Sequence, residues 1–399
     1  MKTTDAAAAV QTILECVREL GREKIRLDES LSRTLADDIV AAEDLPPFDN
    51  SAMDGFAIAC SDPGKAKAVL AVAGESSAGK VFGRRLKAGE AVRVMTGGKI
   101  PEGADTVVPV EDVMVIDDGH IGITLPVRAG AHIRRAGEDV PAGEAILHAG
   151  DVIRPPHLGI LASLGYAKVR VRRRPAVNIL ATGDELVGVE EEPGEGQIRN
   201  STSFALAGHV REAGGIPRVC GIVRDRPGPL KKAIRKALDA DVLLVTGGVS
   251  VGKYDYVKEA FSDLGISTRF WRLNIKPGKP LVFGTFDDVL VFGLPGNPVS
   301  TSVTFLEFVR PALWKMQGRS TLSPFRCPAV LDDGYTKSDG KRHYLRGIAR
   351  LESGVMRVTL TRSQSSGAMS TLTRGNCLVV VPEESGRLAA GDAVEIELL

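Results

Sequence analysis

Three stretches of this 399-residue chain set ligand-binding residue types directly after short apolar runs. "NILATGDEL" delivers Thr182, Gly183, Asp184 and Glu185, "GIVRDRPG" delivers Asp225, and "DVLLVTGGVSVGKYDY" delivers Gly247, Gly248, Ser250 and Asp255. Glycines let the backbone approach a ligand closely, and free amides at a helix start favour anions. The third stretch looks like a phosphate loop, yet it lacks a glycine-lysine-serine ending and places Asp255 where such a loop wants positive charge. Carboxylates on the same edge suit magnesium, which bridges protein oxygens and substrate phosphate. Taken singly, each stretch reads as ordinary turn chemistry, and Asp225 as the cap of a helix starting near Pro227. Three of them at the strand ends of one sheet argue for a shared ligand edge.

Two further motifs bring positive charge and helix-start amides. "NIKPGKPLVFG" holds Lys276 and Lys279 around a proline-glycine turn, an arrangement that suits an oxyanion or, more plainly, a solvated hairpin tip. "GLPGNPVS" places Pro295, Gly296 and Asn297 before a long helix, with Asn297 as the expected cap, Pro298 at the first helical position and Ser300 among the early donors. Earlier in the chain, "PPFDNSAMDGFAI" carries Asp49 and Asp54, and "RVMTGGKIPEGADTVVPVED" carries Thr96 in a glycine-rich turn. "AHIRRAGEDV" sets Arg134 and Arg135 beside Glu138 and Asp139. Each of these alone reads as a turn or a surface ion cluster.

The elements that must position these residues fall into blocks. Thr4 or Asp5 caps a first helix bearing Val10, Ile13, Leu14, Val17 and Leu20 on one face, and "DESLSRTLADDIV" suggests a second, shorter helix. From about 56 to 150, short β-rich runs alternate with glycine and proline, as in an inserted β domain. "PPHLGILASLG" reads as a helix. From 175 the pattern is strand, helix, strand, which argues for a mostly parallel sheet covered on both faces. After about 325 the runs are strand-like, with no helix between them. The expected fold class is therefore multidomain α/β plus β. Its parts are a discontinuous N-terminal helical and linker domain (1–50 and 140–174), an inserted β domain (51–139), a central α/β domain (175–325) and a C-terminal β domain (326–399).

Composition excludes several functions. Lys and Arg total 51 against 50 Asp and Glu, a net charge of +1, so no global field recruits nucleic acid or a membrane surface. Five scattered cysteines and six dispersed histidines form neither a disulfide framework nor a zinc motif. "MKTTDAAAAVQTILECVREL" is interrupted by Asp5, Glu15 and Glu19 and does not read as a signal peptide, so a cytoplasmic location is expected.

Together these segments resemble the molybdopterin molybdenumtransferase family, which inserts molybdenum into adenylylated molybdopterin and whose animal relative is the C-terminal domain of gephyrin. The resemblance runs through "LPPFDNSAMDG", "RVMTGGKIPEGADTVVPVED", "IRRAGEDV", "TGDEL", "TGGVSVGKYDY", "IKPGKP" and "GLPGNPVS" in the family's order. It implies a homodimer of four-domain subunits, with each active site between the α/β domain of one subunit and the inserted domain of the other. The C-terminal domain is expected to be a small β barrel. Adenylyl-molybdopterin and molybdate would be the substrates, Mg2+ the metal and AMP a product. By resemblance, Glu185, Asp225 and Asp255 position pterin and pyrophosphate, with Asp225 and Asp255 holding the metal. Asp54, Thr96 and Asp139 complete the catalytic cleft from the partner subunit. Lys276, Lys279, Ser300, Arg346 and Ser366 form the molybdate cage. Thr182, Gly183, Asp184, Gly247, Gly248, Ser250, Pro295, Gly296, Asn297 and Arg135 contact molybdopterin or AMP. Two departures stand out: Thr202 replaces a second asparagine, and "SSGAMST" replaces the usual glycine-serine-histidine pattern. Partner proteins implied are a molybdopterin adenylyltransferase and molybdoenzyme acceptors. The alternatives are the adenylyltransferase itself, a single α/β domain, and a gephyrin-like scaffold.

Overall fold

A computed structural model describes residues 3–60, 68–249 and 256–399. At its centre, six strands run in the spatial order Ile216–Val223, Ala176–Thr182, Val242–Thr246, Val289–Leu294, Val282–Phe286 and Ser267–Phe270. The first four are parallel, and Val282–Phe286 runs antiparallel to both neighbours. The central strands read as unbroken apolar runs because both faces are covered. Val177, Ile179, Val242, Leu244 and Phe292 pack beneath Thr202–Glu212 and the long helical segment 298–316. The alternate residues Leu180, Leu243, Val245 and Val291 pack beneath Pro227–Ala237 and Tyr256–Asp263. Truncating a side chain as enclosed as Phe292 costs about 3–5 kcal/mol by the usual cavity rule.

The first helix, Ala6–Glu15, is capped by Asp5, whose carboxylate accepts from the Ala7 and Ala8 amides at 2.8 and 3.2 Å. It packs against the long helical segment 298–316 in the core of the α/β domain through Ala6, Ala9 and Ile13. The expected second helix is absent: only a single 3-10 turn, Leu27–Glu29, forms there. Its backbone is committed elsewhere. The Leu35 and Ala36 amides donate to the Asp151 and Arg170 carbonyls at 2.9 and 3.0 Å, and just before this stretch Arg22–Arg26 pairs with Lys168–Arg172. Leu35 and Ile39 are thereby buried with Leu147, Leu161 and Val171. Long-range pairing outweighs the local helical pattern.

The inserted sheet has the order Thr106–Pro109, Gly55–Ile58, Glu90–Val94, Ala68–Ser76, His120–Ile123, Val113–Asp117. At the C-terminus, Arg342–Glu352, Val355–Leu360, Arg326–Leu331, Ala393–Leu398 and Cys377–Val381 close into a five-stranded barrel, as expected. One short helix, Ser370–Arg374, interrupts this otherwise all-β stretch. The long helix widens to a π turn at Phe305–Val309 just before Pro311, which has no N–H for a regular helical bond to Glu307.

Candidate active site

The carboxyl ends of the parallel strands open onto a cleft of about 380 Å³, lined in part by Thr182, Glu185, Asp225, Gly247, Gly248 and Asn297. It sits between Ala176–Thr182, whose connection runs to Ile216–Val223 on one side, and Val242–Thr246, whose connection runs to Ser267–Phe270 on the other. Ligands in open α/β sheets bind at such switch points. Gly247 is required here. At φ +87°, a Cβ would lie 2.3 Å from the Thr182 carbonyl oxygen, so no side chain fits between these strand ends.

The rim is electrostatically loaded. Burial raises the pKa of the half-buried Asp225, and the nearby Asp184 and Glu185 carboxylates raise it further. The Asp225 amide donates to Asp184 at 3.3 Å, while the Arg224 guanidinium reaches the Asp184 carbonyl rather than a carboxylate. Among the described residues none of these three carboxylates is ion-paired. Ser250 and Asp255 lie outside the described residues. The cleft also includes Arg199, Asn200 and Ser201, which were not among the expected site residues, and Thr202. Asn200 accepts from the Ser203 amide at 3.2 Å and donates to its hydroxyl at 2.9 Å, fixing the start of Thr202–Glu212. The available signal was an asparagine-serine pair directly before a helix.

Beyond Pro280 of the lining, two domains are joined. Ile275–Lys276 pairs with Arg342–His343 of the barrel, and the Leu273 amide donates to the Lys279 carbonyl at 2.9 Å. Lys276 and Lys279 are exposed. Between them Gly278, at φ +105°, presses on the long helix so closely that a Cβ would meet the Thr304 methyl at 2.5 Å and the Ser300 carbonyl oxygen at 3.7 Å. The lysine turn therefore lies against the helix that bears Ser300. Asn297 stands at the N-cap position but makes no side-chain capping bond. Its Nδ2 donates instead to the Ser366 hydroxyl at 3.0 Å, and the Val299 amide donates to the Ser366 carbonyl at 3.1 Å. Ser366, whose surrounding motif departs from the family pattern, is thus seated directly on this helix start.

Arg346 has a different place. It is 1% exposed, and its guanidinium donates to the Ser365 carbonyl at 3.2 Å and to the Thr371 hydroxyl at 3.3 Å. Burial lowers its pKa to about 10. It braces the loop carrying Ser366 from behind.

The remaining expected residues lie on the inserted domain, outside the lining of this cleft. Pairing of Gly55 with Val94 brings Asp54 beside Thr96, whose amide and hydroxyl donate to the Asp54 carboxylate at 2.7 and 2.8 Å. Those bonds hold the exposed carboxyl below its ordinary range. Arg135 donates to Asp49 at 2.6 Å, and its amide donates to Glu138 at 2.7 Å. Asp139 is exposed beside them, its amide bonded to the Leu45 carbonyl at 3.1 Å.

Three family models cover the chain in order: the MoeA N-terminal region (domain I and II) over residues 4–165, a probable molybdopterin binding domain over 178–315, and the MoeA C-terminal region (domain IV) over 328–399. A molybdopterin molybdenumtransferase of Haemophilus influenzae is 37% identical, with 94% of this chain and 93% of that protein covered. The Staphylococcus aureus (strain COL) protein of the same name is 33% identical over 98% of this chain and 94% of its own. This chain belongs to the molybdopterin molybdenumtransferase family. The crystal structure of the molybdopterin biosynthesis moeA protein from Pyrococcus horikoshii OT3 superimposes with a TM-score of 0.86 at 33% identity, covering all of both chains. The molybdenumtransferase fold thus accounts for every domain described above. Its cleft carries the Glu185 and Asp225 carboxylates and adjoins the lysine turn at Pro280 and the Ser366 loop at Asn297, while Lys276, Lys279, Ser300 and Ser366 lie outside the lining itself.

Proposed function

We propose that this chain transfers molybdenum to molybdopterin, acting on the adenylylated form with molybdate as the oxyanion and releasing AMP. The observation that carries this reading is the junction of the switch-point cleft with the cationic turn. Lys276 and Lys279 flank Gly278, which rests against the helix bearing Ser300 and Asn297, and Ser366 closes the same corner. Two ammonium groups with hydroxyl donors suit a tetrahedral dianion. Arg346 contributes by holding the Ser366 loop.

Mg2+ fits the other end. The carboxylates of Asp225, Asp184 and Glu185 offer hard oxygen donors, and burial and mutual repulsion strain Asp225 in the absence of a cation. Among the described residues no three metal-binding side chains converge into a ready cage. Magnesium commonly keeps several waters and relies on one or two carboxylates plus substrate phosphates. Asp225, with Asp255 of the motif outside the described residues, would hold it, and a metal held there would offset charge on the pyrophosphate. The chain's own groups orient the substrates: Thr182, Gly183, Gly247, Gly248, Pro295 and Gly296 shape the backbone cradle, and Asn200 fixes the helix start beside it.

Asp54, Thr96, Asp139 and Arg135 are exposed and outside their own cleft, with the partly exposed Phe48, Met53 and Met95 nearby in sequence. They would complete the cleft of a second copy in a homodimer. Transfer from a molybdopterin adenylyltransferase and delivery to molybdoenzymes would follow from this role. No helix among the described residues is long and apolar enough to cross a membrane. A cytoplasmic site of action is proposed with the activity.

The test supplies purified protein with adenylyl-molybdopterin, Mg2+ and molybdate and measures AMP. The expected result is molybdate-dependent AMP release; its absence overturns the reading. Lys279→Ala should weaken molybdate dependence while leaving pterin binding, with roughly 10²–10³-fold lower turnover at fixed molybdate. The dimer reading has its own test. Mixing inactive Asp54→Asn and Asp225→Asn subunits should restore about a quarter of the sites if each cleft draws on both chains, and none if it does not.

A further inference from the structure

A separate cavity of about 350 Å³ lies where residues 150–157 meet the end of the long helix and the connection to the barrel. Its lining is rich in donors, among them Arg154, His157, Trp314, Arg319, Thr321 and Ser323. The carboxylate in this lining, Asp151, already accepts from the His148 amide at 2.8 Å. The cavity falls within the roughly 300–1,000 Å³ typical of small-molecule sites.

Two of the cationic groups here are poorly satisfied by the protein itself. Arg319 has no carboxylate partner among the described residues, and both its Nε–H and the Trp314 indole N–H are buried without an acceptor. Burial, with no opposing charge, lowers the Arg319 pKa to about 10. Its guanidinium carbon lies 5.1 Å from the Trp314 ring centroid. Stacking explains where the guanidinium sits, but it leaves the N–H groups without acceptors. Across the cavity, the Arg154 amide donates to His157 Nδ1 at 3.3 Å, which places the proton of the neutral ring on Nε2. That nitrogen lies 3.4 Å from Arg154 Nη2, so two donors face each other. A shared acceptor resolves such a conflict. The helix start alone does not make this site, because Pro155 and Pro156 supply no N–H.

We propose that this cavity binds a phosphate group, free or as a phosphomonoester, between Arg154, His157 and Arg319, with the Thr321 and Ser323 hydroxyls as further donors. The site is distinct from the strand-end cleft and ties the N-terminal segment to the α/β domain. A dianion here answers the unpaired guanidinium groups and gives the facing donors of Arg154 and His157 one acceptor.

The experiment uses the full chain carrying Lys276→Ala and Lys279→Ala, which removes oxyanion binding at the cleft. Calorimetric titrations with inorganic phosphate and with glycerol phosphate are compared. Saturable binding near one per chain is expected to survive the lysine changes. It should weaken at least about tenfold on adding Arg319→Gln or Arg154→Gln, the equivalent of about 1.4 kcal/mol. Tighter binding of glycerol phosphate identifies a phosphomonoester as the ligand, and equal binding identifies free phosphate. Arg154 is exposed, so its variant tests the site even if the Arg319 change disturbs folding. The proposal is overturned if neither probe binds saturably, or if binding ignores the Arg154 change.

Discussion

Among the described residues, carboxylates are held against ionisation in two places, and the two differ in how the charge is answered. At the cleft rim, Asp225 sits beside Asp184 and Glu185 with no cation paired to any of them among the described residues. At the joint between the long helix and the barrel, Glu307 and Glu397 are buried together, and Glu307 is pushed up to about 8, first by burial and then by Glu397. There the protein supplies its own answer. Arg326 bonds Glu307 at 2.8 Å and also reaches Glu397, while Arg310 pairs with Glu397. A strongly shifted carboxyl is therefore not by itself the mark of an active site. What separates the rim from the joint is an accessible cleft and missing countercharge. At the rim the described residues supply no countercharge; at the joint Arg326 and Arg310 supply it.

Asp225→Asn breaks the comparison at its strongest point. It should lower molybdate-dependent AMP release by roughly 10²-fold, because one of the few groups able to hold a metal is lost. The same change removes repulsion from a half-buried position, so the melting temperature measured without Mg2+ should hold or rise. A fall in both activity and stability would make Asp225 structural, like Glu307.

Glu307→Gln probes the other side, with a smaller effect confined to stability. In the folded chain Glu307 keeps its proton up to about pH 8, whereas its ordinary pKa is 4.5. Between those values the native state binds more protons than the unfolded chain, so wild-type stability falls as pH rises through this window. Glutamine stays neutral and keeps an oxygen for Arg326. The variant's melting temperature should match wild type near pH 5 and exceed it by roughly 2–4 °C near pH 8. Molybdate-dependent turnover should be unchanged. A constant difference across pH would show that Glu307 does not titrate.

Much of this was legible in the sequence, for definite reasons. "DVLLV" and "NILAT" read as central strands because every residue of Val242–Thr246 and nearly every residue of Ala176–Thr182 is buried. The glycine after "DVLLV" marked a close approach of chains, and Gly247 does abut Thr182. What was hidden depended on distant partners. Arg22–Arg26 is a strand only because Lys168–Arg172, far along the chain, pairs with it. Asn297 has the residue type and position of a helix cap, yet its side chain is drawn to Ser366. The burial of Arg346 follows from barrel closure, which no local pattern around "YLRG" reports.

The helix that carries Glu307 into the joint begins at the cleft, so the two regions share one element whose far end is set by the barrel. Ser366→Ala isolates that link. The change removes the acceptor of the Asn297 Nδ2 bond but leaves the Val299 amide bonded to the residue 366 carbonyl, so the loop should stay in place. Loss of one such hydrogen bond is worth about 0.5–1.5 kcal/mol. If Ser366 acts by orienting Asn297 at the oxyanion corner, the molybdate KM should rise several-fold, with kcat and melting temperature nearly unchanged. Ser366→Thr, which retains the hydroxyl, should recover most of the loss. A fall in kcat at unchanged KM would place the hydroxyl on the reacting atoms instead, making the barrel a contributor to the chemistry rather than to the shape of the site.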